Sequence, residues 1–420
     1  MQKHSWARRL VSWEGPAAGL ALAAGLFSDR LVMPAFGLLL LFWPLRRIAR
    51  GRFSVRTPLD LAILPLAVSA VIALWVSAQP EVSRLQFERL ALGVGLFYAL
   101  INWADRPLRT QTPVEAGILL GVGLALAALI SVEWTLAKLP FIPAGAYESF
   151  RLLLPDGVHP NVMAGSLALL LPLAMARLLW GWRIDRPWRF GLMLAAVGMM
   201  GVVLVLTQSR GGLIAAAVSS LALIALRWRR GWLGFPIGGL LAGLVLWAAA
   251  SRPGGDRLIS GLLFDELNGR LEFWSRAIFM IQDFSFSGVG LGLYVRAADL
   301  LYPFLSAEPG SVPHAHNLFL QIGVDLGVPG LIAWLGAYLL ACTTAWRVYR
   351  AGKAGHAGRA AGLGAGLLAG QLALAVHGML DAVTWGMVRP ALLVWALWGL
   401  SAAAWRVQST RRPQAAPPVQ

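Results

Sequence analysis

The chain is poor in charged residues and contains a single cysteine. Only 13% of its 420 residues are charged, about half of the roughly 25% found in soluble globular proteins. A charge content this low argues against a soluble protein of this length. The lone cysteine, Cys342, excludes a disulfide within the chain. The low charge content therefore excludes a soluble globular domain, and the single cysteine excludes a disulfide framework.

The apolar residues occur in long runs that contain few charged residues. Hydrophobic residues make up 58% of the chain and cluster in runs such as 164–176, 190–206 and 213–226. About 20 helical residues, at roughly 1.5 Å each, cross a hydrocarbon layer of about 30 Å. We therefore predict an all-α, polytopic membrane protein with about twelve transmembrane helices. The predicted spans are residues 15–28, 31–45, 59–77, 87–103, 113–134, 160–178, 190–206, 212–226, 232–250, 316–346, 360–380 and 385–405.

The basic residues are distributed unevenly between the two sides of the predicted membrane. The formal charge of +16 could indicate a nucleic-acid partner. However, 24 of the 36 lysines and arginines fall on one side, in short segments, and 12 fall on the other, five of them in one long loop. This bias follows the positive-inside rule and predicts that both termini are cytoplasmic. The charge thus indicates contact with anionic membrane lipids, and no nucleic-acid partner is predicted.

One transmembrane domain, residues 1–406, is predicted, followed by a disordered cytoplasmic tail, residues 407–420. A large loop, about residues 251–315, lies on the non-cytoplasmic side. Its stretch "GRLEFWSRAIFMIQDF" (269–284) has apolar residues at helical spacing. We expect a short amphipathic helix at the membrane interface. Its apolar face would consist of Leu271, Trp274, Ile278 and Ile281.

Residues 190–226 are too long for one membrane crossing, because a 37-residue helix would measure about 55 Å. The stretch "TQSRGG" (207–212) is predicted to break this helix, since its two glycines disfavour continuation. Arg210 then lies at the outer mouth of two spans. It could reach the interface as an isolated charge. It could instead bind an anion, together with Ser209 and the backbone N–H groups of the next helix.

Two further arginines, Arg270 and Arg276, lie in the large loop on the same side as Arg210. Each could be a solvated loop charge. Together with Arg210 they could instead form a basic patch, because guanidinium groups match phosphate oxygens with paired hydrogen bonds. A phosphate or pyrophosphate ligand would suit such a patch.

Two of the six histidines, His314 and His316, precede an apolar run that ends in a Gly-Val-Pro-Gly break (327–330). With Asn317, they could simply cap the start of a helix. Histidine titrates near neutrality, so His316 could also accept a proton from a hydroxyl group. No metal site is predicted, because no carboxylate cluster and no cysteine-rich spacing accompanies these histidines along the chain.

Other polar residues near predicted helix ends are interpreted structurally. His159, in "DGVHPNVMAG", begins a span and is typical of helix-start chemistry. His377 and Asp381 lie one helical turn apart near the outer end of another span and could pair with each other. None of these three is included among the predicted site residues.

The stretch "HNLFLQIGVDLGVPG" (316–330) has the pattern His-Asn, nine residues, Gly, two residues, Gly. It resembles the signature of the O-antigen ligase and polymerase superfamily. "TQSRGG" resembles the arginine turn of that family, and "GRLEFW…SGVGLG" resembles its large periplasmic loop. The similarity covers about residues 160–331, and the preceding part of the chain matches only as hydrophobic spans.

The resemblance implies a glycosyltransferase of the bacterial inner membrane whose site faces the periplasm. The donor would be a glycan linked to undecaprenyl pyrophosphate, and neither a metal nor another cofactor would take part. By motif, Arg210 and Arg270 would hold the pyrophosphate, and His316 would be the general base for the acceptor hydroxyl. The supporting residues would be Ser209, Asn317, Arg276 and His314. His314 has no counterpart in the family pattern.

The favoured hypothesis is a ligase that transfers preassembled O-antigen to lipid A–core with inversion at the anomeric centre. A polymerase would use another lipid-linked glycan as acceptor, and a third class would transfer glycans to protein hydroxyls. A secondary transporter would account for twelve spans but not for the large outer loop, and no paired interrupted helices are evident in matching halves. The expected partners are the lipid-linked donor, its acceptor and membrane lipids.

Overall fold

The computed structural model describes residues 5–132, 158–181, 186–251, 266–386 and 389–410. Within these residues the chain is helical, and its only β feature is an isolated parallel bridge between Val132 and Val158. The predicted all-α fold class is confirmed. The described helices are α1 (Ser5–Ser12), α2 (Glu14–Phe27), α3 (Val32–Leu40), α4 (Phe42–Arg50), α5 (Asp60–Trp75), α6 (Pro80–Trp103), α7 (Pro107–Ser131), α8 (Pro160–Trp180), α9 (Pro187–Leu206), α10 (Arg210–Arg227), α11 (Gly234–Ala250), α12 (Glu266–Asp283), α13 (Tyr294–Leu301), α14 (Leu318–Ala354), α15 (Gly358–Gly378) and α16 (Ala391–Ser409).

Eight helical segments in the described residues are long and apolar enough to cross a membrane, so the chain is a multi-pass membrane protein. They are Ser5–Phe27, Asp29–Arg50, Arg109–Ile130, Pro160–Trp180, Pro187–Leu206, Arg210–Arg227, Leu318–Ala354 and Gly358–Gly378. The other four predicted spans coincide with α5, α6, α11 and α16. The count of twelve crossings stays a prediction. Of the predicted tail, residues 407–409 belong to α16, and residues 411–420 lie outside the described part.

The buried centre of the bundle is formed by α8, α14, α15 and α16. Leu167 of α8, Leu367 of α15 and Trp398 of α16 are all fully buried. Small residues along α15 let neighbouring helices approach its backbone closely. At Gly364, a Cβ atom would lie 2.3 Å from the backbone nitrogen of Tyr349 in α14. This close packing holds α14 and α15 together, and residues of the site described below lie just before α14 and just after α15.

The long helix α14 is broken at Gly327, where φ is +70° and ψ is −177°. The predicted Gly-Val-Pro-Gly break is therefore confirmed, although the helix resumes beyond it. The large loop supplies partners for the backbone groups that the break releases. Val289 N donates to Val324 O at 2.8 Å, and Val328 N donates to Ser285 O at 2.7 Å. The break thus anchors the loop against the membrane bundle.

Replacing Gly327 by alanine is expected to destabilise the protein by roughly 1–3 kcal/mol, because this backbone conformation is almost exclusive to glycine. The new Cβ would also lie 2.6 Å from the Phe286 carbonyl oxygen. Thermal unfolding in detergent should therefore occur at a lower temperature. Gly336→Ala is the matched control in the same helix, since its Cβ would lie 3.5 Å from the Ala62 Cβ, an ordinary contact. Equal transition temperatures for the two variants would contradict this account of the break.

Helices α12 and α13 of the large loop enclose a small apolar core of their own. The predicted amphipathic helix is confirmed as α12, and its apolar residues differ in exposure. Leu271 and Ile278 are 52% and 43% exposed, whereas Ile281 packs into the loop core beside Ala277 and Met280. Part of the predicted apolar face therefore packs against protein. Contact of Leu271 and Ile278 with lipid stays a prediction.

Candidate active site

The arginine turn joins α9 to α10 and breaks the apolar run where the sequence predicts. Gln208 is left-handed, with φ +53°, which redirects the chain between the two helices. Ser209 is the N-cap of α10, and its Oγ accepts a hydrogen bond from Gly212 N at 3.3 Å. Thr207 Oγ1 accepts one from Ser209 N at 3.2 Å. Arg210 is thus the first residue of α10, where the backbone N–H groups carry partial positive charge.

The histidine turn, residues 314–317, leads into α14. Asn317 is the N-cap, and its Oδ1 accepts hydrogen bonds from two backbone N–H groups of the first turn at 3.0 and 3.1 Å. Its Nδ2 donates to Met379 O at 3.2 Å, which ties the start of α14 to the end of α15. His316 has φ +47°, a left-handed conformation that is uncommon for a residue with a side chain.

Asp381 lies between the two histidines and the start of α8. Its carboxyl oxygens are 3.5 Å from His314 Nε2 and 4.0 Å from His316 Nδ1, and Asn161 Nδ2 donates to Oδ2 at 2.8 Å. Asp381 is not among the predicted site residues, because it was interpreted as a structural partner of His377. The only sequence signal was an acidic residue at the end of a span, one turn after His377.

A polar cavity of about 130 Å³ lies beside this carboxylate. Arg210 lines it from the start of α10, and Arg270 lines it from α12. Asn161, in the first turn of α8, and Asp381, just after α15, also lie in its wall. The two arginines predicted to bind pyrophosphate therefore line one cavity. The N-termini of α8 and α10 open at the same place, which adds partial positive charge suited to an anion.

The supporting residues predicted for the site differ in their positions relative to the cavity. Ser209 lines the cavity, whereas Asn317 fixes the histidine turn. Arg276 does not line the cavity: its Nη2 is 3.6 Å from Glu272 Oε1. Glu272 in turn accepts hydrogen bonds from the backbone of residues 305 and 306. Arg276 thus helps to hold the loop together.

The electrostatic surroundings favour a neutral His316. Burial, followed by the neighbouring His314, lowers the pKa of His316 to about 4, although Asp381 acts in the opposite direction. Burial also lowers the pKa of His314. For Asp381, burial favours the neutral acid, but His314, His377 and His316 outweigh it once they are protonated at acid pH, and they lower its pKa. At neutral pH a histidine able to accept a proton therefore lies beside a carboxylate.

His314, His316 and Asp381 also have the composition of a metal site. Their ligand atoms all lie within 4.8 Å of one another, and two imidazoles with a carboxylate suit a transition metal. The expectation that no carboxylate accompanies these histidines holds along the chain but is wrong in the fold, where Asp381 lies beside them. The prediction of a site without metal stays a prediction.

The model of the O-antigen ligase family matches residues 195–335, about a third of the chain. The match includes the arginine turn, the large loop and the histidine turn. A search of curated proteins found no match to the chain. The family supports a function of the O-antigen ligase or polymerase type and lipid-linked glycans as the general class of substrate. The match confirms the predicted resemblance to the O-antigen ligase superfamily over residues 195–335.

Proposed function

We propose that the protein is a periplasm-facing glycosyltransferase of the bacterial inner membrane, which transfers a preassembled glycan from undecaprenyl pyrophosphate to lipid A–core. The observation that carries this proposal is the convergence of Arg210 and Arg270 on one polar cavity, with Asp381 in its wall and His316 beside it. Both termini would be cytoplasmic, and the large loop would cover the periplasmic face.

The donor's pyrophosphate would occupy the polar cavity. Arg210 and Arg270 would each pair with phosphate oxygens, and the N–H groups at the start of α10 would add to their field. Neutralising the leaving group in this way stabilises the charge that develops as the glycosidic bond breaks. Two guanidinium groups supply the needed positive charge, so no metal ion is part of the proposed mechanism.

His316 would act as the general base. Its neutral imidazole would take the proton of the acceptor hydroxyl while the hydroxyl oxygen attacks the anomeric carbon. The bond from that carbon to the pyrophosphate breaks with its electron pair leaving on the pyrophosphate. Attack from the face opposite the leaving group inverts the anomeric centre. Asp381 would stabilise the imidazolium that forms, because its carboxylate is 4.0 Å from His316 Nδ1.

Reconstitution in liposomes with an undecaprenyl-pyrophosphate glycan tests the proposal. One sample receives lipid A–core, a second receives no added acceptor, and both contain a chelator. We expect product only on lipid A–core, because the donor would be consumed by transfer to that acceptor. An Arg210→Ala, Arg270→Ala double variant serves as the control for transfer that does not depend on the cavity.

The other outcomes separate the competing functions. Longer lipid-linked chains without added acceptor would make the protein a polymerase. No product in either sample, with recovery on adding a divalent metal in excess of the chelator, would contradict the metal-free mechanism. No product even with added metal would leave the protein-glycosylating and transporter hypotheses, which differ in whether a protein hydroxyl is modified.

A further inference from the structure

Asp325 is a buried acidic residue in the first half of α14. It is 1% exposed, and its two carboxyl oxygens accept four hydrogen bonds. Gln86 and Trp385 donate to Oδ2 at 2.8 and 2.9 Å, and the side chain of Gln321 and the backbone of Gly292 donate to Oδ1 at 3.0 and 3.3 Å. These donors belong to α6, the segment after α15, α14 and the large loop, so one carboxyl joins four parts of the fold.

Gln321 connects this carboxyl to the histidine turn. Its Nε2 donates to Asp325, and its Oε1 accepts a hydrogen bond from Ala315 N at 2.9 Å. A carboxylate offers only acceptors, so Asp325 orients the glutamine amide with its NH₂ group inward and its oxygen toward Ala315. Ala315 is fully buried and lies between His314 and His316.

His316 is left-handed, with φ +47°, and such a conformation persists only where its surroundings hold it. The backbone of Ala315 is held by Gln321 on one side, and Asn317 caps α14 on the other. We propose that Gln321 and Asp325 are positioning residues, which fix the backbone of Ala315 and thereby direct the His316 imidazole toward the acceptor. This inference rests on the proposed function of His316 as general base.

Gln321→Met removes both hydrogen bonds while keeping a side chain of similar length in the same buried position. We expect kcat for glycan transfer to fall by about 10- to 100-fold, because a small misplacement of a reacting group has a cost of this size. The donor KM should be unchanged, since Arg210 and Arg270 are untouched.

Gln371→Met is the matched control. Gln371 is equally buried, and its Oε1 accepts a hydrogen bond from Trp398 Nε1 at 2.9 Å. This substitution should lower the unfolding temperature about as much as Gln321→Met does, yet leave kcat near that of the wild type. Equal losses of kcat in the two variants would indicate general destabilisation and overturn the proposal.

A reciprocal exchange tests the direction of the hydrogen bond. Gln321→Glu alone sets two acidic groups against each other and should lose kcat as Gln321→Met does. Adding Asp325→Asn places an amide donor opposite the new glutamate, which can still accept from Ala315 N. The double variant should therefore regain most of the lost kcat. A double variant no better than Gln321→Glu would remove the role assigned to this pair.

Histidine titration by NMR gives a readout that does not depend on transfer. With only six histidines in the chain, selective labelling can follow His316 directly. Its titration should change in Gln321→Met and stay the same in Gln371→Met. If the wild type transfers no glycan, the proposed function fails while this readout still decides the positioning role. If kcat and titration of Gln321→Met equal those of an active wild type, the positioning role fails alone.

Discussion

Replacing Arg210 by alanine is expected to reduce the rate of glycan transfer by about 100- to 1,000-fold, the usual loss when one group that stabilises transition-state charge is removed. Arg210 lies in the wall of the polar cavity at the first position of α10, where its charge and the helix N-terminus act on the same ligand. The loss should appear in kcat as well as kcat/KM, because the charge on the leaving pyrophosphate grows as the bond breaks.

Two further arginine variants give the controls. Arg296→Ala removes the same charge from an exposed site on α13 and should leave transfer near the wild-type rate. Arg210→Lys keeps the charge but loses the paired hydrogen bonds of guanidinium, so an intermediate rate is expected. Transfer at the wild-type rate by Arg210→Ala would exclude the cavity as the pyrophosphate site.

The effects of Arg210 and Arg270 should not be additive. Both side chains line the cavity, so each would contact the same pyrophosphate and the loss of one would change the position of the ligand for the other. The double variant should therefore be less impaired than the product of the two single losses. Simple multiplication of the losses would indicate that the two arginines act at separate places.

The features that depend on neighbouring residues could be predicted from the sequence. Apolar runs of membrane length became helices, because hydrophobic composition and helix-breaking residues act within a few turns. The same holds for the turn before Arg210 and for Asn317 as the cap of α14, since capping joins a side chain to the next backbone groups.

The contacts between distant segments could not be predicted in this way. Asp381 joins the histidines only because α15 ends beside the start of α14, where Asn317 binds Met379 O. Packing of α12 against the bundle likewise decided which of its apolar residues are buried. In both cases the outcome depends on tertiary contacts that a pattern along one helix does not contain.

The sequence does contain a signal that points to Gln321 and Asp325. Both stand inside the apolar run that follows His316, and a polar or acidic residue in a membrane helix costs free energy unless it is paired. Such residues are therefore retained for a partner or a function. The partner of Gln321 is the backbone of Ala315, which no periodicity of the helix could indicate.

Replacing His316 by alanine is expected to lower kcat for transfer by about 100- to 10,000-fold, the range found when a general base is removed. Donor binding should be retained, because the arginines that line the cavity are unchanged. His356→Ala is the matched control, since His356 is exposed in the turn between α14 and α15. Wild-type kcat in His316→Ala would remove the assignment of the base, and His314, whose ring centroid is 4.3 Å from that of His316, would be tested next.

The pH dependence of kcat/KM separates the base from its neighbouring charge, because kcat/KM reports the titration of the free enzyme. Because burial lowers the pKa of His316 to about 4, it stays neutral as the pH falls through about 6.5, where an ordinary histidine becomes protonated. Wild-type kcat/KM should therefore remain level from about pH 8 to about pH 5 and fall only toward about pH 4. Asp381→Asn removes a charge that raises the pKa of His316, so the acid limb should move to still lower pH. The variant's kcat should also fall, because no carboxylate then stabilises the imidazolium. In His316→Ala the limb should vanish, and a limb that persists would assign it to another titrating group of the site.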